Sequence, residues 1–403
     1  MIHHRVSRSV WAALSVTCAL ALGACGSDEK DSGGSADSGT TVASQAVDPT
    51  KEYVPGVPPL AELYRGTEGT PPTSGPPIAK DKTVVFVSCG QAAPGCAGVP
   101  NEMAKPAKLV GWNYRVIDGR LNADNGWANG VRQAIAAKPD AIIVHGMNCP
   151  DVKQPLQEAV DAGIPVMGLE NVDCDDELVD GGRGTPLFEA KMQYTDDIKS
   201  GADYYHAWGA LQAQYIINAT RGEAKIIRTN YQPIFGIHMK RGQDEALALC
   251  ETCELVGEIS YGVTDVGPSG PLFQKFNTVL GQQPDANAVL MGVDGVVTTA
   301  GVAKAIADAG RHEDIVSIGG EGYAPALQLI RENGGLNAES AHDGKWMAWG
   351  AVDNLNRFFN GEPPVPQGVG FRIVDKDNNM MPPGEDYATP VDYRTAYKKL
   401  WGV

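Results

Sequence analysis

The sequence predicts an α/β protein of two similar lobes, each a doubly wound parallel sheet covered on both faces by helices. Three observations carry this expectation. Short apolar runs rich in β-branched residues alternate with stretches of helical spacing. The alternation pauses after Asp197 and then starts again. The body, about 80–403, is long enough for two lobes of ordinary size. A composition of 43% hydrophobic and 20% charged residues fits a folded body of that kind.

The first strand is expected at 83–88 (Thr-Val-Val-Phe-Val-Ser), an apolar run without polar alternation and hence buried on both faces. A helix at 102–110, a strand at 113–118, a helix at 126–138, a strand at 141–145, a helix at 152–162 and a strand at 164–169 complete the first unit. The second unit runs helix 201–220, strand 224–229, helix 238–249, strand 254–260, strand 288–292, helix 298–309, strand 315–319 and helix 325–332. In open parallel sheets, ligands sit beyond the carboxyl ends of the strands. The loops at 89–99, 146–150, 170–173 and 230–235 should therefore line a cleft between the lobes.

Ahead of the body lie segments of a different kind. A basic start (Arg5, Arg8, no acid) leads into an apolar run over 10–22 that ends in Leu22-Gly23-Ala24-Cys25. This is the order of a secretory signal, too short for a comfortable membrane span. Leu-Gly-Ala-Cys resembles the bacterial lipoprotein processing box, which implies a signal at 1–24 and lipid on Cys25, now the mature N-terminus. The competing reading is an ordinary signal peptide whose cleavage region contains a cysteine. Lipidation would place the chain on the outer side of the cell membrane, held by acyl chains whose grip grows with buried methylenes. Within 25–79, residues 26–50 are rich in Gly, Ser and Asp and cannot build a core, so they read as a flexible tether. Residues 53–77, rich in Pro, Gly and Thr with apolar anchors Leu60, Leu63 and Tyr64, read as an extended arm lying on the body.

The formal charge is −16, and loss of the signal removes Arg5 and Arg8 and brings it to −18. So acidic a body argues against nucleic acid as a partner. Cysteine usage fits an exported protein. With Cys18 in the signal and Cys25 lipidated, six cysteines remain, which allow 15 pairings. The simplest is three local bridges, Cys89–Cys96, Cys149–Cys174 and Cys250–Cys253, since an oxidising exterior favours disulfides over metal or catalytic thiols. Cys250-Glu-Thr-Cys253 has redox-motif spacing, but a structural bridge is the simpler reading.

A family resemblance rests on an ordered set of phrases. These are Lys138-Pro-Asp-Ala-Ile-Ile-Val, Pro155-Leu-Gln-Glu-Ala-Val-Asp-Ala-Gly-Ile-Pro-Val, Lys240-Arg-Gly-Gln-Asp-Glu-Ala, Ala307-Asp-Ala-Gly310 and Ile318-Gly-Gly-Glu-Gly322. Over about 82–375 the chain resembles the type I periplasmic binding proteins, especially the ribose-binding branch. The resemblance implies three hinge crossings, with one lobe at 80–196 plus 343–372 and the other at 197–342 plus 373–403, including the tail. It implies hinge strands near 194–197, 341–344 and 371–374. It also implies a lipoprotein, monomeric and without cofactor, that captures a small molecule and delivers it to an ABC permease.

Family ligand positions carry over only in part. The loop after the first strand reads Cys89-Gly-Gln-Ala-Ala-Pro-Gly-Cys96 and offers Gln91 where sugar binders use aromatic residues. An Asp-Arg pair after the fourth strand is replaced by Glu170-Asn171, and a ligand-clamping Arg aligns with Met239, beside His238. Val293 stands before Asp294 in place of Asn, Glu321 matches an Asp, and His342 takes the place of a hinge Gln. Ribose is therefore not implied.

Glu170, Asp294 and Glu321 would bring carboxylates together where two arginines are absent. An anion would meet an unfavourable potential there unless histidines or backbone amides countered it; a polyol, whose hydroxyls charged acceptors bind well, or a cation on an aromatic face fits better. Candidate faces are Tyr231, Phe235, Tyr323 and Trp346, with core packing as the competing reading for each. Asp294 could instead cap the helix that follows it, and His145 could be a buried structural histidine.

No nucleophile elbow, zinc helix or phosphate loop is present, so no catalytic or metal-ligating residue is assigned. Asp375-Lys-Asp-Asn-Asn379 has half the spacing of a calcium loop, but Met380 stands where Gly is needed. A polar turn between two tail strands is expected there instead. Three function classes follow: an import receptor, a ligand-sensing lipoprotein acting on a membrane sensor, and a secreted enzyme, which no constellation supports.

Overall fold

The computed structural model describes residues 47–267 and 270–403. The expected signal, Cys25 and most of the tether lie outside them. The arm enters as α1 (Leu60–Arg65), followed by β1 (Thr83–Ser88), α2 (Pro94–Leu109), β2 (Asn113–Asp118), α3 (Gly126–Ala136), β3 (Ala141–His145), α4 (Cys149–Asp161) and β4 (Val166–Leu169). These four strands form one parallel sheet in the order β2-β1-β3-β4. Its central strands are apolar throughout and buried on both faces, the pattern a parallel sheet requires when helices cover both sides.

The chain then forms α5 (Gly201–Ala219), β5 (Lys225–Tyr231), α6 (Ile234–Leu247), β6 (Glu254–Tyr261), α7 (Pro271–Gln282), β7 (Ala288–Leu290), α8 (Val302–Asp308), β8 (Val316–Glu321), α9 (Ala324–Arg331) and β9 (Ala338–Ala341). After α10 (Gly344–Phe359) come β10 (Arg372–Asp375) and α11 (Tyr393–Trp401). The second sheet runs β10-β9-β8-β7-β5-β6, parallel except for β10, which pairs antiparallel with β9. Both sheets begin with the same strand order, second-first-third-fourth, so the second unit repeats the first. The two-lobed type I periplasmic binding protein fold that the sequence led us to expect is present.

Several elements depart from the sequence reading for identifiable reasons. The first helix starts at Pro94 rather than 102, because Pro94 occupies a first-turn position where no N–H is missed. Pro100 and Pro106 lie inside this helix, so its N-terminal half had looked like loop. The helix expected over 298–309 is broken: a π-helical turn (Gly295–Thr299) precedes α8, with Gly301 at φ 78° between them. The arm is not wholly extended but contains α1, which buries Leu60 and Leu63. Asp375 does organise a turn, its Oδ1 accepting from the N–H groups of Asp377 and Asn378, but no second tail strand follows among the described residues.

Two additions flank the repeated units. The arm buries Val54 and Val57 beside Ile217 and Cys250, then pairs with the last crossing through Thr67 N to Phe371 O at 2.9 Å. It ends where the Trp112 indole donates to Ala79 O at 2.8 Å. Glu68, its side chain 1% exposed, faces Arg372 at 2.8 Å and accepts from Tyr387 Oη at 2.7 Å. The tail, grouped above with the second lobe, ends in α11 against α10, where Trp401 stacks on Trp349 and Tyr393 on Trp346. Residue α10 Trp349 in turn donates to Glu102 of α2. The lobe limits near 196, 342 and 372 are proposed divisions; α10 follows β9 of the second sheet yet packs on the first.

Candidate functional site

The site follows from where the strands end. Beyond the carboxyl ends of the two sheets lies a cavity of about 350 Å³, in the range of small-molecule sites. One side carries the loop closed by the Cys89–Cys96 disulfide, with Trp127, His145 and Glu170; the other carries Tyr205, Trp208, Tyr231, Phe235, Asp294, Glu321 and Tyr323. The other two bridges are the local pairs Cys149–Cys174, which ties the start of α4 to the loop after β4, and Cys250–Cys253.

Glu170 follows β4 directly, with φ at 51°. Its Oε2 lies 2.8 Å from His145 Nε2 and its Oε1 3.3 Å from His342 Nε2. Tyr194 and Tyr205 hold its backbone, Tyr194 Oη accepting from Glu170 N and Tyr205 Oη donating to Glu170 O, both at 2.8 Å. Burial pushes this carboxyl up, but the His145 hydrogen bond and the charges on His342 and His145 outweigh it, so it lies below the ordinary range. Burial lowers the His342 imidazole, against the pull of Glu170. The His342 ring stands edge-on to Trp208 at 5.2 Å.

Glu321 ends β8 with φ at 98°, a conformation rare for a residue with a side chain. Its Oε2 accepts from Asp294 N at 3.2 Å, and no cationic side chain among the described residues pairs with it. Burial, followed by the charges of Asp294 and Glu170, holds its carboxyl well above the usual range. Across the cleft lies the first turn of α2: a Cβ on Gly95 would stand 2.7 Å from Glu321 Oε1, so glycine permits this approach. Behind Glu321, Asp294 and Glu339 are neighbouring buried carboxyls, and Asp294 Oδ1 and Glu339 Oε1 have no hydrogen-bond partner. Burial and Glu339 push Asp294 well up; burial pushes Glu339 to about 7. Asp294 Oδ2 also accepts from Tyr323 N at 2.9 Å. The carboxylate makes no cap bond to the turn that follows it, so the helix-cap reading is corrected: it serves the start of α9 instead.

The remaining residues singled out in the sequence are distributed unevenly. Tyr231 and the neighbouring Phe235 line the cavity, with ring centroids 4.5 Å apart. Met239 lies in a smaller hollow beside them. His238 turns instead to Asp176 at 3.1 Å, next to an Arg241–Glu177 pair, which joins α6 to the loop after β4. Asn171 is buried and holds the ends of β3 and β4 together, accepting from Met147 N and donating to Val144 O. Gln91 is fixed through its N–H to Asp118 Oδ1 and does not line the cavity. Trp346 is fully buried on Tyr393, also away from it.

Sequence reasoning missed Tyr205 and Trp208, which α5 presents to the cavity. A signal existed in the run Tyr204-Tyr205-His206-Ala207-Trp208, where the aromatic density exceeds what one buried helix stripe needs. The packing that aims them depends on Gly209, where a Cβ would run into the Met239 carbonyl of α6. Glu339 was missed because its strand is only four residues long.

A cavity shared by two like α/β sheets defines a two-lobed small-molecule binding fold. Residues 84–363 match the family model described as periplasmic binding protein domain, and the chain belongs to that family. Similar solved structures include an ABC transporter solute binding protein from Agrobacterium vitis with bound allitol, at 19% identity, covering 73% of this chain and 96% of that one with a TM-score of 0.59. Another is an ABC transporter periplasmic solute binding protein from Actinobacillus succinogenes with bound D-allose, at 18% identity, 74% and 98% coverage and a TM-score of 0.60. A third, from Bacillus halodurans with bound myo-inositol, shows 17% identity, 74% and 96% coverage and a TM-score of 0.56. No curated protein gives a sequence match. Among the described residues, no helix is long and apolar enough to cross a membrane.

Proposed function

We propose that the chain is an extracytoplasmic solute-binding lipoprotein, anchored through Cys25, that closes on a small organic molecule and delivers it to an ABC importer without chemical turnover. The observation that carries the reading is the cavity at the carboxyl ends of both sheets, which a ligand would touch from both sides and so favour closure. Family membership and the solutes bound by similar structures support it. The division at 80–196 plus 343–372 and 197–342 plus 373–403, with closure about its crossings, belongs to the same proposal.

The first test is a thermal-shift screen of the full chain against sugars, polyols, amines, aromatic acids and small peptides, since a ligand of the native state raises Tm by mass action. Glu321→Ala and His342→Ala should each abolish the shift without unfolding the protein; unchanged affinity in both would sink the pocket assignment. Cys25→Ala should move the protein from the membrane fraction to the soluble one. Loss of solute uptake on deletion would favour import over a sensing role on a membrane partner.

A further inference from the structure

The chemical class of the solute can be narrowed, on the reading that this cavity is the solute site. Neither Lys nor Arg lines the cavity. His145, its one basic side chain, is engaged with Glu170 through Nε2. An anionic ligand would therefore enter a field of its own sign. One part of the wall is a set of rings in contact with one another. Tyr205 stacks on Phe235 at 4.6 Å, and Tyr231 meets Phe235 at 4.5 Å and Tyr261 at 5.2 Å. A polyol can lay C–H groups on such faces, but its hydroxyls must then find partners among the few acids, and each one left unpaired would cost about 1–3 kcal/mol.

The acids are not equivalent. Glu170 has two histidines, and Asp294 has Glu339 and a backbone N–H, whereas Glu321 has one N–H at 3.2 Å and no counter-charge. An independent sign comes from His145, which is 1% exposed on the cavity wall and whose Nδ1 has no partner. That nitrogen is a polar atom of the wall left without a protein partner.

We infer that the cavity takes an organic ammonium ion, its body against the Tyr205–Phe235–Tyr231 rings and its charged nitrogen at Glu321. A cation on aromatic faces gains from their quadrupoles, and its N–H or N–CH groups give the carboxylate the charge-assisted contact it lacks. The raised carboxyl of Glu321 fits an acid built to meet a charge that arrives with the ligand. The titratable groups that face it are Asp294, Glu339 on β9, Glu170, His342 and, across a small hollow, Lys345 and Asp386, which pair with each other at 3.3 Å. The only cation among them is thus already engaged, and the ligand's charge should displace the proton Glu321 holds.

Calorimetry on the full chain in detergent tests this with choline and tyramine, 3,3-dimethylbutan-1-ol as the uncharged isostere of choline, and myo-inositol and allitol as polyols. An ammonium probe should bind about 10-fold or more tightly than its uncharged counterpart or either polyol, a difference of roughly 1.4 kcal/mol. Its heat should vary with the ionisation enthalpy of the buffer, reporting proton release. Glu321→Gln should remove the preference and Glu321→Asp, which restores the charge, should keep it. Polyol binding without ammonium binding would overturn the ligand class while leaving the receptor reading intact. An unchanged preference in Glu321→Gln would overturn the assignment to Glu321, and silence from every probe would overturn both readings.

Discussion

Glu170 and Glu321 occupy the same place in two like sheets, the carboxyl end of the fourth strand, and both have positive φ. Their surroundings make them opposites. Glu170 is flanked by two histidines, and its carboxyl lies below the ordinary range; Glu321 is flanked by acids, and its carboxyl lies well above it. Topology therefore fixed where a carboxyl group enters the cleft, and the neighbours fixed its charge. One half of the site carries a carboxyl already hydrogen-bonded to a histidine. The other half carries one with no counter-charge among the described residues, which leaves an interaction for the solute to complete.

That contrast can be broken at four points. Glu170→Ala should have the largest effect, about 3–5 kcal/mol of lost stability in denaturant titrations, because it removes the hydrogen-bond partner of buried His145 and the carboxyl beside His342. If the loss stays below about 1 kcal/mol, Glu170 is not the organising group. Glu339 comes next. Its carboxyl is raised from 4.5 to about 7, so the native state is penalised above the folded value and relieved as pH falls toward the unfolded one. Stability should therefore gain on the order of 3 kcal/mol from this group between pH 8 and pH 5, and Glu339→Gln should flatten that slope. Glu170, whose value is depressed, acts with the opposite sign. Its contribution is complete above the ordinary carboxyl range and is lost as pH falls through its folded value.

The third point is backbone strain. Glu321→Gly should raise stability by about 1 kcal/mol while removing binding, since glycine adopts φ 98° without penalty. Glu170→Gly should instead lower it, because relief at φ 51° is smaller than the lost pairing. The smallest change is Gly95→Ala. The clash is with the far end of the Glu321 side chain, so stability should move by less than about 1 kcal/mol. Affinity for the solute should nevertheless fall, because the carboxylate is displaced from its position at the start of α2.

Much of this was legible in the sequence. The strands expected at 83–88, 113–118 and 141–145 coincide with β1, β2 and β3, the first and third because a short apolar, β-branched run has few other stable solutions. Local cysteine pairs were likewise readable from spacing. The carboxyl groups were found because family ligand positions carry over to them, and they lie at strand ends, where a parallel sheet presents its ligand side. What was not legible depended on contacts distant in the chain. Nothing near Asn171 says that its amide would be used by Met147 and Val144, or that His238 would face Asp176. Trp346 was expected as an aromatic face for the ligand, but the surface that buries it belongs to a helix 47 residues later, beginning at Tyr393. The aromatic wall of α5 was hidden for a related reason: a helix with rings on several faces has no single stripe to read.

The arm and the tail separate two things often treated as one, the unit a family shares and the unit that can exist in water. The shared span, 84–363, stops short of β10, α11 and everything before β1. Cut to those limits, the chain would bare Trp346 and Trp349 on α10, the stacking partners of Tyr393 and Trp401, and would open the free side of β9. An exposed aromatic face beside an unpaired strand edge invites self-association. The smallest soluble piece of this receptor is thus larger than its inherited domain, and its two ends have become part of its solubility.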